Sequence, residues 1–253
     1  MRRLRAAAFA LLAGAQAPLF AAQLDLQVAL DPAARRFAAV AEVDAPAREF
    51  RFALHESLEV SAASANGQAL RAERRDGAGP LRAWRVVMPE KATRLRLEYG
   101  GTLPALDRRL DHRGVLRGLT LMAAAEGSFL PAGAGWYPQP APLFTYQVSL
   151  SVPGDQRALV AGRLLSEEAP AAAGGRYRAR FEFMLPADGI DLMAGPYLVR
   201  EKRMPRAGGE PLRLRTYFFP ELDAMPGLAE GYLDDTQRYL ARYAAEKIGR
   251  AHV

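Results

Sequence analysis

The fold is decided by residues 24–43, which read LDLQVALDPAARRFAAVAEV. Two runs in this stretch alternate apolar residues with other residues at a period of two, and their apolar positions are Leu24, Leu26, Val28 and Leu30, then Phe37, Ala39, Ala41 and Val43. This period is typical of a β-strand with one buried face. Asp31-Pro32 lies between the runs as a turn signal, so the stretch predicts two strands that pair with each other.

The same alternation continues along most of the chain. Asn66-Gly67 is the strongest hairpin signal, because both of its residues tolerate a positive φ. Many strands without intervening helices predict a mainly β protein whose antiparallel sheets pack as a sandwich or saddle. Further strands are predicted at Phe50 to Leu54, Trp84 to Met88, Leu95 to Tyr99, Val115 to Met122, Tyr146 to Val152, Leu159 to Leu164, Tyr177 to Phe183, Leu192 to Val199 and Leu212 to Phe218.

The spacing of the apolar residues changes after Pro220. Between Pro226 and Lys247 the apolar residues recur at steps of three and four, which predicts one C-terminal amphipathic helix with Pro226 near its first turn. These apolar residues are Leu228, Tyr232, Leu233, Tyr239, Leu240 and Tyr243. A single helix after a long β region is either a closing cap or the first element of another domain.

Composition and charge exclude several classes of protein. The 253 residues are 50% hydrophobic and include no cysteine, so the chain can bury a large core and forms no disulfide. The formal net charge is +6, but Arg2, Arg3 and Arg5 lie in the first five residues, and removing them halves it. The remaining basic residues are scattered along the chain, and we therefore expect no nucleic-acid partner.

Residues 1–22 have the three parts of a secretory signal peptide: a basic start, an apolar run and a small-residue end. Cleavage is expected after Ala22 or after Ala17. The alternative is a membrane anchor, but the apolar run is short and is interrupted by Gln16 and Pro18. The sequence therefore predicts an exported protein, periplasmic or extracellular, without a transmembrane segment once the signal is cleaved.

The histidines do not form a recognisable metal or catalytic motif. His55 is followed by Glu56, but His-Glu-x-x-His needs a second histidine at position 59, which is Glu59. His112 and His252 are far away in the sequence, and Gly-x-Ser-x-Gly does not occur. We therefore expect no catalytic, cofactor-binding or metal-binding residue in this chain.

The most distinctive segment runs from Ala125 to Leu130 and then from Gly133 to Pro140. It contains the adjacent aromatic residues Trp136 and Tyr137, framed by glycine and proline. Such a loop can form a rigid wall that lines a cleft. Alternatively, the two rings close the end of the sheet core, and the prolines end the strand pairing.

Several motifs occur together in a characteristic order. They are Gly127-Ser128-Phe129-Leu130, Trp136-Tyr137-Pro138, the segment 146–153 reading YQVSLSVP, Val160-Ala161-Gly162, Phe181 to Pro186, and Met193-Ala194-Gly195-Pro196-Tyr197. In this order they resemble the N-terminal β domain of the M1 family of zinc metallopeptidases, the alanyl-aminopeptidase-like enzymes. The resemblance covers about residues 24–218.

The resemblance implies a saddle-like β domain over residues 23–220 that precedes a thermolysin-like catalytic domain, of which 221–247 is the truncated start. Members of the family bind zinc through His-Glu-x-x-His and a later glutamate, and hold the substrate amine with Gly-x-Met-Glu-Asn; this sequence contains neither motif. Zinc and a peptide substrate are therefore expected in the full-length parent, and the chain alone is expected to be inactive. The missing catalytic domain is expected to pack on the C-terminal helix.

In many family members the β domain adds a Gln-x-Glu anchor ahead of an aromatic-proline pair. When Tyr137-Pro138 is matched to that pair, Gly127-Ser128-Phe129 occupies the anchor's place. Glu126 and Gln139 are the candidates to substitute for it. With Trp136 and Tyr137, they are the four predicted substrate-cleft residues.

Residues 248–253 are expected to be a non-native tail, because their codons can be written to match a widely used sequencing-adapter sequence. The resulting interpretation is the N-terminal β domain of an exported, M1-like zinc metallopeptidase. The alternative is a stand-alone periplasmic β-sandwich that binds or interacts with a partner. An intact gene that continues into His-Glu-x-x-His would distinguish the first from the second.

Overall fold

A computed structural model describes residues 22–45, 47–75, 79–107, 109, 120–206 and 209–245. Several features discussed above lie outside these residues. They are His112, His252, the tail 248–253 and the predicted signal peptide, of which only Ala22 is described. The strand predicted from Val115 to Met122 is described only from Thr120 onward, where a strand begins at Met122.

The described residues form seventeen strands and two helices. In chain order they are β1 (Ala22–Asp31), β2 (Arg36–Asp44), β3 (Glu49–His55), β4 (Leu58–Ala65), β5 (Gln68–Leu70), β6 (Ala72–Arg75), β7 (Leu81–Val87), β8 (Arg94–Thr102), β9 (Met122–Ala124), β10 (Gly127–Leu130), β11 (Phe144–Pro153), β12 (Arg157–Val160), β13 (Arg163–Glu168), β14 (Arg176–Ala187), β15 (Leu192–Gly195), β16 (Leu198–Met204), β17 (Leu212–Phe218), α1 (Pro220–Asp223) and α2 (Leu228–Ala245). The predicted mainly β class is confirmed.

An eight-stranded sheet forms the largest layer, in the order β13-β14-β11-β1-β2-β8-β4-β5. The other sheets are β12-β15-β10-β9, β3-β7-β6 and the hairpin β16-β17. On β1 the residues of the predicted apolar face, Leu24 to Leu30 in steps of two, are at most 3% exposed. Period-two alternation thus buries one face of the large sheet in a common core and leaves the other face toward solvent.

The sheet is not purely antiparallel, which corrects the predicted pairing. β1 and β11 run parallel, from Ala22 opposite Phe144 to Ala29 opposite Ser151. More than a hundred residues separate these strands, and they include the β3-β7-β6 sheet, so the chain returns to the sheet in the same direction. A parallel pair needs a crossover connection of about a dozen residues or more, and local alternation does not encode which distant strand it reaches.

Two predicted strands are each divided into two. The strand from Leu159 to Leu164 is broken at Gly162, whose φ is +125° and where a Cβ would lie 2.4 Å from the Glu182 carbonyl oxygen. The strand from Leu192 to Val199 is broken at Pro196, which has no N–H for a ladder hydrogen bond. Each break sends the chain from the β12-β15 sheet to a different sheet.

The predicted C-terminal helix begins later than Pro226. α1 forms a single turn with Pro220 at its start, and Gly227, at φ +70°, separates it from α2. Ala229 and Leu233 are buried on α2, which lies against the β16-β17 hairpin. Among the described residues, no helix is both long enough and apolar enough to cross a membrane.

Candidate functional site

The loop after β10 carries Trp136 and Tyr137 into the core. Trp136 is 0% exposed and Tyr137 is 3% exposed, and their ring centroids lie 4.8 Å apart in an edge-to-face arrangement. Neither ring presents a free face to a cleft in the described part of the chain. This burial fits the second of the two interpretations, in which the rings close the sheet core, and a cleft role for these side chains stays a prediction.

Hydrogen bonds fix both rings to the loop before β15. Trp136 Nε1 donates to the Ile190 carbonyl oxygen at 3.1 Å, and the Ile190 N–H donates to the Tyr137 hydroxyl at 3.0 Å. Tyr99 Oη donates to the Trp136 carbonyl oxygen at 3.2 Å. Burial raises the pKa of Tyr137 to about 12, although the bond from Ile190 opposes this shift. The Trp136-Tyr137 pair is therefore held rigidly against the loop before β15, and the Tyr137 hydroxyl is uncharged at neutral pH.

Glu126 lies in the turn between β9 and β10 and is exposed. The neighbouring carbonyl of Ala125 accepts a hydrogen bond of 3.1 Å from Nε2 of Gln156, whose side chain is 5% exposed. Gln156 therefore holds this turn from inside the protein. The sequence offered no signal for this contact, since it joins two loops that are 31 residues apart.

Gln139 is half-buried at the other end of β10. Its Nε2 donates to the carbonyl oxygens of Ala141 at 3.1 Å and Asp188 at 3.4 Å. The amide thus braces the loop, and its carbonyl oxygen makes no described hydrogen bond. Glu126 precedes β10 and the other three predicted cleft residues follow it, so about 13 Å of strand lies between them along the chain.

Gly127-Ser128-Phe129, which occupies the expected place of the family anchor, carries no acid or amide. Gly127 lies beside the Phe219 ring, since a Cβ at this position would be 3.6 Å from it. The Ser128 hydroxyl is buried and has no hydrogen-bond partner among the described atoms. These side chains cannot supply the ionic anchor for a peptide amine that the resemblance associates with this position.

A partly exposed apolar row crosses one face of the β12-β15-β10-β9 sheet. Met193 pairs in register with Phe129 on one side and with Leu159 on the other, and it is 41% exposed. A second apolar surface lies on α2, where Tyr232, Tyr239 and Tyr243 are each more than half exposed. A contiguous exposed apolar patch marks a contact surface, whereas apolar residues exposed singly are normal.

The described residues do not fit a zinc ion. No group of three or more histidine, cysteine, aspartate or glutamate side chains among them converges on a common point. His55 is buried, and its Nδ1 accepts a hydrogen bond from the Ser57 N–H at 3.1 Å. Zinc ligation usually needs three or four such donors, so the described residues supply no complete ligand set.

No protein-family model and no curated protein matches the sequence of this chain. Solved structures do match its fold. A variant of an M1 zinc metallopeptidase from Deinococcus radiodurans, bound to a Tyr-Ser-Ala substrate, is 21% identical and superposes with a TM-score of 0.63. The match covers 87% of this chain and 51% of that one.

Two further solved structures have a similar fold. Another structure of the Deinococcus radiodurans M1 zinc metallopeptidase matches with a TM-score of 0.58, 22% identity and coverage of 81% of this chain and 49% of that one. Legionella pneumophila aminopeptidase A, in complex with aspartic acid, matches with a TM-score of 0.57, 14% identity and coverage of 80% and 24%.

The chain has the fold of the N-terminal region of M1 zinc metallopeptidases. It spans about half the length of the Deinococcus radiodurans M1 structures that it matches. The structural likeness thus confirms the M1-like β fold that the motif order predicted.

Proposed function

We propose that this chain is the N-terminal β domain of an exported M1-like zinc metallopeptidase, that it lines one side of the substrate cleft in the parent enzyme, and that it is inactive alone. The observation that carries the proposal is the fold match to the Deinococcus radiodurans M1 enzyme over 87% of this chain but only 51% of that one. The other half of such an enzyme would carry the catalytic domain.

Exposed apolar side chains on β15 and α2 support this arrangement. Met193 is 41% exposed on β15, and the tyrosines of α2 lie on a helix that directly follows the β region. A catalytic domain that follows α2 in the chain would bury such surfaces. We therefore assign them as the packing surface for that domain.

Glu126 is the best candidate in the described chain for a contact with the peptide. Its carboxylate is exposed on a turn that the buried amide of Gln156 fixes, next to the Gly127 position where the resemblance expects an anchor. A carboxylate held there can accept hydrogen bonds from a protonated peptide amine. Trp136 and Tyr137 would act indirectly, as a rigid support for β10, and Gln139 would brace the loop.

Zinc would supply the Lewis acid and the activated water of peptide hydrolysis in such an enzyme. The described residues of this chain would neither hold it nor take part in that step. Their contribution would be to bind and orient the peptide and to restrict the access of water to the cleft.

The experiment compares the 253-residue chain with the parent protein expressed from the uninterrupted gene. Release of the reporter group from aminoacyl reporter substrates is measured with and without a metal chelator. The proposal predicts chelator-sensitive turnover by the parent only, and a higher KM with little change in kcat for the parent carrying Glu126→Gln. Chelator-sensitive turnover by the 253-residue chain, or a gene without a downstream metal-binding motif, would overturn the proposal.

A further inference from the structure

A groove of about 590 Å³ crosses the solvent-facing side of the eight-stranded sheet. It extends from β13 and β14 at one edge, over β11, β1 and β2, to β8 and β4. This face points away from the core, and it is separate from the β12-β15-β10-β9 sheet and from α2, where the proposed enzyme function lies. The groove therefore needs an explanation of its own.

The floor of the groove is made of small side chains. Ala29 and Ala38 face each other across β1 and β2, and Ser151 is the register partner of Ala29 on β11. The other end of the same sheet face is covered by an ion-pair network, in which Arg94 contacts Asp25, Glu42 and Asp44.

Two arginines form one wall of the groove. Arg178 and Arg180 are two residues apart on β14, so their Cα atoms are separated by about 7 Å and both point to the groove side. They stand in register with Ser151 and Ser149 of β11, respectively. This pairing sets two guanidinium groups beside two hydroxyl groups.

The donors of these arginines are largely uncommitted. Arg180 donates one N–H to the side-chain oxygen of Gln147, whereas Arg178 makes no hydrogen bond or ion pair with any residue in the described part of the chain. The Ser149 hydroxyl has no described partner, whereas the Ser151 hydroxyl accepts a hydrogen bond of 2.7 Å from Arg176 Nε and keeps its own O–H to donate. Each guanidinium group carries five N–H donors, which suit the oxygen atoms of carboxylates and phosphates.

Two acidic residues also border the groove. Glu168 on β13 is the register partner of Arg178, and no described group lies within ion-pair distance of its carboxylate. Glu98 forms the opposite wall, where it pairs with Arg96. Glu168 opposes the binding of an anion near Arg178, so the favourable position is on the β11 side of the two arginines, beside Ser149 and Ser151.

We infer that this groove is a binding site for a small anionic ligand whose carboxylate or phosphate oxygens accept hydrogen bonds from Arg178, Arg180 and the serine hydroxyls. An exposed aromatic platform, which neutral sugars favour, is absent from the lining residues, because Tyr99 is only 3% exposed. The inference does not depend on the proposed peptidase function.

The test uses the 253-residue chain and two probes, inorganic phosphate and citrate, measured by calorimetric titration at low ionic strength. Saturable binding of at least one probe is expected. Tighter binding of phosphate would identify a tetrahedral oxyanion as the ligand group, and tighter binding of citrate would identify a carboxylate. Arg178→Ala and Arg180→Ala should each weaken binding by about threefold to tenfold, because each removes a charged donor at a partly exposed site. Glu168→Gln should strengthen binding, because it removes the opposing charge.

Arg51→Ala is the matched control, since it removes one equal charge from an exposed arginine on the β3-β7-β6 sheet, outside the groove. It should leave the affinity within about twofold of the unmodified chain, because the charge removed is remote and screened. Melting curves confirm that each variant is folded. The inference is overturned if neither probe binds saturably, or if Arg51→Ala weakens binding as much as Arg178→Ala does.

Discussion

The Trp136 indole N–H donates to the carbonyl oxygen of Ile190 at 3.1 Å, and this bond joins two loops that are 54 residues apart in the sequence. Both residues are 0% exposed, so water cannot replace the bond if it is lost. The bond fixes the loop that follows β10 and thereby the end of the strand that begins next to Glu126.

The first prediction concerns this bond. Trp136→Phe removes the donor and leaves the Ile190 carbonyl oxygen buried without a partner. Trp84→Phe is the matched control, because the Nε1 of Trp84 is buried without any hydrogen-bond partner in the described structure. We expect Trp136→Phe to lower the free energy of unfolding by about 1–3 kcal/mol more than Trp84→Phe does, as measured by urea denaturation. Equal losses would contradict the assigned role of the bond.

The second prediction compares two glycines in the same loop. Gly133 and Gly135 have φ values of +77° and +74°, so alanine is strained at both. A Cβ at Gly133 meets nothing within 4 Å, whereas one at Gly135 would lie 2.8 Å from the His55 backbone nitrogen and 2.6 Å from a Leu81 methyl group.

We therefore expect Gly133→Ala to lower the free energy of unfolding by about 1–2 kcal/mol through backbone strain alone. Gly135→Ala should cost about 1–3 kcal/mol more, because the added methyl group also overpacks the contact with β3. Urea denaturation of both variants provides the measurement. A Gly135→Ala variant no less stable than Gly133→Ala would show that the loop does not pack against β3 as described.

The third prediction concerns pH. Burial lowers the pKa of His55 below its ordinary value of 6.5, and nearby Arg82 adds to this shift while Glu56 opposes it. The unfolded chain therefore binds more protons than the folded chain as the pH falls through 6.5, so this histidine's contribution to stability is complete above 6.5 and is lost below it.

We expect the free energy of unfolding to decrease between about pH 7.5 and about pH 5.5, and to decrease less in His55→Gln, which has no imidazole to protonate. Urea denaturation at several pH values measures both slopes. If the two proteins show the same slope, the burial of His55 does not govern this part of the pH dependence.

The fourth prediction concerns the tyrosines of α2. Tyr239 and Tyr243 are 52% and 53% exposed, whereas Leu233 is 6% exposed on the same helix. The double variant Tyr239→Ser and Tyr243→Ser should reduce self-association of the chain in sedimentation experiments and change its stability by only about 0.5 kcal/mol. Leu233→Ser should instead destabilise the helix packing. Unchanged self-association in the double variant would argue against an uncovered interface on α2.

The local sequence predicted the elements that depend on local signals. Alternation located β1 and β2, and Asn66-Gly67 located a hairpin whose two turn residues have φ values of +50° and +77°. The local sequence could not predict the parallel pairing of β1 with β11, because contacts between distant parts of the chain decide that register.

The candidate site illustrates the same limit. The aromatic pair Trp136-Tyr137 was recognisable as distinctive, but only the folded structure distinguishes burial in the core from exposure at a cleft. Gln156 and the groove arginines Arg178 and Arg180 had no sequence motif at all. Their roles arise from the register between strands and from a contact between two loops.

Metal analysis of the purified parent protein and of the 253-residue chain tests the central claim most directly. We predict about one zinc per molecule in the parent and none above background in the chain, because the described residues supply no ligand set. Stoichiometric zinc in the 253-residue chain, or a folded parent that retains no zinc, would contradict the account.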